Sequence, residues 1–196
     1  MSRKNLLTKD EIIAKGFEIM RTKGLERLTS RDLAKQLGTS TQPIFSLFSS
    51  MEEVQVLVLE RAKQYLFEFI GDIQAFDMPF KRFGLRIVDF AKEEPMLFDT
   101  LFTRGYLPDA LRNPASDKFV AELCRDYQLT EEESIILFEQ AMVFTYGLAQ
   151  FCTRNEVFGY DEMRISAMLG RVFLANLTYI KANGTTLVLK HPQPQE

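Results

Sequence analysis

The chain has 196 residues, 46% of them hydrophobic, enough for one generous domain or two modest ones with a real core. No signal-peptide core stands near the N-terminus, and no apolar run approaches the roughly 20 residues that span a bilayer, so a soluble, cytoplasmic protein is expected. The net charge of −3 is unevenly spread, +4 over residues 1–50 and −7 over the rest, which suits a small nucleic-acid-reading head on an acidic body.

Two cysteines, Cys124 and Cys152, lack CxxC spacing and read as free thiols. The single histidine, His191, lies in a Pro-rich tail. That removes most histidine-dependent catalysis and zinc binding, and with no phosphate-binding glycine loop no cofactor and no enzymatic activity is expected.

In chain order, Thr8 and Glu11 have the spacing of a capping box, and a stripe of Ile12, Ile13, Phe17, Ile19 and Met20 predicts a first helix ending near Gly24. Thr29 and Asp32 are an Asp variant of the same box, so a second helix begins at Ser30 with Leu33, Ala34 and Leu37 on its apolar face. Gly38 stops it in the left-handed conformation. Ser40 is the expected cap of a third, short helix with Pro43 in its first turn. There Ile44 and Phe48 lie on one side, leaving Thr41, Gln42, Phe45 and Ser46 outward. Two helices across a tight glycine turn form a helix-turn-helix, the geometry that carries side chains into a major groove. A head core of Ile13, Phe17, Leu33, Leu37, Ile44 and Phe48 follows.

Ser50 and Glu53 make another box, opening a fourth helix expected to run to about Ile73, roughly 36 Å at 1.5 Å per residue. Pro79 opens a helix to Lys92 and Pro95 a shorter one through Leu101. The segment Arg104 to Pro114 is broken by Gly105 and Pro108. A helix over 115–127, the Thr130/Glu133 box, and long helices over 131–154 and 160–182 follow, with Asn183-Gly184 as the stop. A strand-like run at Thr185–Leu189 is the exception to an otherwise all-α pattern of about nine helices. The division expected is a head at 1–50, a helical body at 51–184, and a tail at 185–196.

Residues 8–54 resemble the N-terminal domain of the tetracycline-repressor (TetR) family of bacterial transcriptional regulators. The resemblance is carried by Lys23-Gly24-Leu25, LTSRDLAKQLGTS at 28–40, the helix with Ile44-Phe45 and Phe48, and Ser50-x-Glu52-Glu53-Val54. It implies that residues 51–184 are a helical ligand-binding and dimerisation domain, and that the protein is a homodimer that binds a palindromic operator in double-stranded DNA and, in most members, is released by a small molecule. By position it places Thr29, Ser30 and Arg31 at the phosphate backbone, the arginine sometimes on a guanine, and Ser40, Thr41, Gln42, Pro43, Phe45 and Ser46 on the recognition helix. Three residues depart from the family pattern. Phe45 replaces a tyrosine whose hydroxyl reaches phosphate, Met51 replaces a lysine, and Leu47 replaces an aromatic or histidine.

Seventeen phenylalanines and no tryptophan suit a plain core. If helices four to eight enclose a cavity instead, its expected lining is Phe98, Phe102, Tyr106, Phe138, Met142 and Tyr146, with Arg104 or Gln140 as polar anchor. Phe144, Gly147, Leu148 and Phe151, then Ala167, Gly170, Phe173, Leu174 and Leu177, suit an intersubunit four-helix bundle, and intrachain packing explains them equally. The rival reading from another class is a helical protein-interaction or ligand-carrier module that has lost DNA binding.

Overall fold

A computed structural model describes residues 7–72, 79–104, 114–154 and 161–186, and among them the regular elements are nine α-helices with short 3₁₀ and π turns and no strand. The all-α expectation holds. Thr185 lies in a turn, and residues 187–189 of the strand-like run fall outside the described residues.

Helix α1 (Lys9–Lys23) starts with a complete box: the Glu11 N–H donates to Thr8 Oγ1 at 3.2 Å, and the Glu11 carboxylate accepts the Thr8 N–H at 2.8 Å. A 3₁₀ turn (Leu25–Arg27) leads to α2 (Ser30–Leu37), then α3 (Gln42–Leu47) and α4 (Met51–Ile70). Helix α4 is shorter than expected. It ends at Gly71, whose φ of 72° breaks the helical run, so its 20 residues span about 30 Å. Its cap is also shifted: Ser50 Oγ accepts the Glu53 N–H, but the Glu53 carboxylate accepts from the N–H and hydroxyl of Ser49, each at 2.7 Å, in place of the Ser50 N–H. Those bonds, the Ser49 hydroxyl's above all, hold the Glu53 carboxyl below the usual carboxylate range.

Packing groups the chain into two units, Met1–Asp72 with Asp89–Pro108, and Ile73–Val88 with Asp109–Glu196. In the first, α1 lies against α2 and α4. Helix α4 joins this unit because Val54, Val58, Ala62 and Leu66 form one buried stripe. Gly16 makes the close approach possible, since a Cβ there would lie 2.8 Å from Val58 Cγ2. The head core differs from expectation for the same reason. Ile12, Ile19 and Met20 are fully buried beside Phe17, Leu33, Ile44 and Phe48, whereas Ile13 and Leu37 are half-buried.

The last turn of α5 (Pro79–Glu93) and α6 (Pro95–Phe98) complete the first unit. Helix α6 runs directly into a π-helical turn (Asp99–Thr103), and Arg104 pairs with Asp99 at 3.0 Å and with Glu26. Between α5 and α6, the buried Glu94 carboxylate accepts from Arg21 Nε at 2.8 Å and from the Tyr65 hydroxyl at 2.9 Å.

The second unit joins the start of α5 to α7 (Pro114–Tyr127), α8 (Glu131–Arg154) and α9 (Glu162–Asn183). Phe80 is its aromatic centre, with ring centroids 6.0 Å from Phe119, 5.9 Å from Phe138 and 5.3 Å from Phe173. Helix α8 carries the reciprocal Thr130/Glu133 box. Against the expectation from sequence, Glu131–Thr153 is long and apolar enough to cross a membrane by length and composition. Its apolar character serves the core, where Leu137, Phe138, Ala141, Met142, Leu148 and Ala149 are buried between α7 and α9.

Candidate nucleic-acid interface

Helix α2 presents its N-terminus to solvent. Thr29 Oγ1 accepts the Asp32 N–H at 3.2 Å and donates to Asp32 Oδ2 at 3.1 Å, while the Thr29 N–H goes to the Arg27 carbonyl. The box is therefore one-sided, because an aspartate is a methylene too short to reach back as Glu11 does. Thr29 and Arg31 are exposed and Ser30 half-buried, and among the described residues Arg31 has no ion-pair partner. Gln55, one turn into α4, donates to the Leu28 carbonyl at 3.2 Å and so fixes the link that aims α2. Nothing in the spacing of the sequence signals that bond.

Gly38 closes α2 at φ 66°, ψ 31°, a left-handed conformation that a side chain would strain. The expected Ser40 cap is not formed. Thr41 is the N-cap, its own φ and ψ are already helical, and no side chain caps α3. Pro43 removes the donor at the second helical position, and the Ile44 N–H bonds to the Thr41 carbonyl at 3.1 Å, so a capping hydroxyl has little to serve.

Around α3, Ile44 and Phe48 are buried, and Gln42, Phe45 and Ser46 are exposed; Ser40 is exposed just before the helix, and Thr41 and Pro43 are half-buried. Ser46 Oγ donates to the Pro43 carbonyl at 2.7 Å, which leaves its oxygen lone pairs to face outward. Lys9 stands 4.8 Å from the Phe48 ring centroid and 3.6 Å from Glu53, clamping the end of α3 to the start of α4. The nine residues expected at the interface thus fall on two adjoining helix ends, α2 and α3, held from behind by one apolar core.

The aromatic candidates are distributed differently. The Phe98 and Phe102 rings lie tilted with centroids 4.8 Å apart in the first unit, and Tyr106 lies outside the described residues. Phe138 and Met142 are buried in the second unit, Gln140 is exposed, and burial pushes the Tyr146 phenol well above its usual range. None of the described candidates lines the cavity of about 300 Å³ in that unit. Its walls include Phe80, Phe119, Tyr127, Phe144 and Phe173, with Lys81, Glu122 and Asp126 as its charged residues and Thr145 beside them. These residues come from four helices, so no single spacing marks them.

Residues 12–55 match the family model of bacterial regulatory proteins, tetR family. Among solved structures, the chain is similar to a TetR variant from Acinetobacter baumannii AYE in complex with minocycline, with a TM-score of 0.63 and 12% identity over 95% of this chain and 100% of that one. No curated protein matches the sequence. The matched segment holds the helix-turn-helix, and the likeness in fold covers both units. The N-terminal segment thus matches the tetR family of bacterial regulatory proteins, and the fold of the whole chain is like that of a TetR protein.

Proposed function

We propose that the chain is a repressor that reads a palindromic operator as a homodimer and leaves it when a small apolar ligand binds, and that it acts in the cytoplasm. The observation that carries the reading is that Thr29, Arg31, Ser40, Gln42 and Ser46 are polar and exposed on a helix-turn-helix whose Ile44 and Phe48 are buried. The hydroxyls and the α2 N-terminus suit phosphate oxygens, Arg31 adds a cation, and Gln42 has the two-point geometry that matches an adenine edge.

Selection of bound fragments from genomic DNA supplies the operator, and fluorescence anisotropy supplies affinities. Gln42→Ala is expected to weaken specific binding about 10- to 100-fold. Arg31→Ala is expected to weaken binding to all sequences and to lower the salt slope by about one. If both variants bind as the wild type does, the chain is better read as an interaction or carrier module.

For the dimer, the supporting feature is an exposed stripe on α8, where Val143 (66% exposed), Gly147 and Phe151 follow at i, i+4 spacing, with Met163 and Leu174 exposed on α9. A Cβ at Gly147 would meet nothing, so a second helix has room to approach. Val143→Glu is expected to raise the dimer dissociation constant at least about ten-fold by sedimentation, since it buries an unpaired charge. Operator affinity should fall with it, because two half-sites about 34–36 Å apart need two heads.

The ligand site we assign to the aromatic cavity of the second unit. Its size, rings and few charged groups fit a compact, mainly apolar molecule with one polar end. Release would follow from tighter binding to the state that does not fit the operator.

A further inference from the structure

We propose that Phe45 is a base-reading residue that recognises the C5 methyl group of a thymine, within a base pair or two of the adenine taken by Gln42. The inference rests on the DNA-binding reading above and adds a specificity to it.

Phe45 is 48% exposed, and among the described residues its ring has no aromatic or cationic partner. It lies three residues after Gln42, so the two side chains are neighbours on one helix face, with Cβ atoms about 5–6 Å apart. With 3.6 residues per turn, Phe45 sits roughly 60° to one side of Gln42 and away from the buried Ile44. A phenyl ring neither donates nor accepts a conventional hydrogen bond. The thymine methyl is the one apolar group on the base edges of the major groove. A ring placed beside a glutamine on a groove-facing helix therefore reads that methyl or contacts a sugar, and the neighbouring glutamine, which reads adenine at a similar depth, favours the methyl.

Replacing thymine by deoxyuridine deletes only that methyl. In a selected operator fragment, each thymine is replaced singly, and affinities are measured for the full-length wild type, Phe45→Ala and Phe45→Leu. The wild type is expected to lose about four-fold in affinity at one thymine per half-site, the scale of one buried methyl. Phe45→Ala should bind thymine and deoxyuridine equally there, and Phe45→Leu, still apolar, should keep part of the preference. Wild-type indifference to every replacement overturns the proposal, and so does a thymine preference that persists in Phe45→Ala. A sugar contact would weaken both DNAs equally in Phe45→Ala and would also overturn it, while DNA binding itself stands. Failure to recover any bound fragment overturns both readings.

Discussion

Phe48→Ala is expected to destabilise the first unit by about 3–5 kcal/mol and to abolish operator binding with it. The ring is buried at the C-terminal end of α3, its backbone N–H bonds to the Ile44 carbonyl at 3.0 Å, and the Lys9 ammonium stands over its face. Six residues are far too few for an independent helix, so α3 exists only while Ile44 and Phe48 anchor it. Truncation leaves a cavity directly beneath the residues assigned to DNA. Urea unfolding followed by circular dichroism measures the loss, and Phe48→Leu, which keeps most of the volume, should cost under about 1.5 kcal/mol. The pattern separates anchoring from contact: Gln42→Ala should stay as stable as the wild type and bind poorly. An unchanged midpoint in Phe48→Ala would mean that α3 is held by something other than this ring.

Arg21→Ala should cost about 2–4 kcal/mol. The Glu94 side chain is only 7% exposed, and removing its guanidinium partner leaves a carboxylate with, among the described residues, the Tyr65 hydroxyl as its one remaining partner. The figure is set below that for a fully enclosed pair because the Arg21 side chain is 37% exposed and water screens it. The hydrogen bond to Glu94 holds the Arg21 proton more tightly than in free arginine, so the guanidinium stays charged across ordinary pH. The double variant Arg21→Met, Glu94→Leu should recover most of the loss, since a buried pair replaced by apolar groups of similar volume is often neutral. If the double variant were as unstable as Arg21→Ala, packing by the arginine stem and not the charge would be the origin. Tyr65→Phe should cost about 1 kcal/mol, one hydrogen bond.

The legible parts of the molecule are those in which cause and effect lie within one helical turn. Thr8 with Glu11 and Thr130 with Glu133 form the boxes that their spacing implies, and Gly38 stops α2, because each depends on residues three or four apart. Where the same local rule met a competitor it failed: Ser49 takes the Glu53 carboxylate from Ser50, and Pro43 leaves Ser40 nothing to cap. Periodicity named the apolar faces but not their neighbours. It selected Ile13 for the head core, whereas the approach of α4 over Gly16 turns Ile12 and Ile19 inward. Arg21 and Glu94 are 73 residues apart, and the cavity walls come from α5, α7, α8 and α9, so neither has a signature in any window. On the interface, residue type and exposure agree for Arg31, Gln42 and Ser46, because an outward position on a short helix follows directly from which two residues are apolar.

The contact between Gly16 and Val58 reaches beyond packing into how the sequence can drift. Glycine inside a helix is about 0.5–1 kcal/mol less favourable than alanine, so substitution at 16 would be the easy improvement if the site were open. With a Cβ only 2.8 Å from Val58 Cγ2, it is not. The two positions form one unit of inheritance: a lineage can reach alanine at 16 only after residue 58 has become smaller, and once it has done so the return to valine is closed.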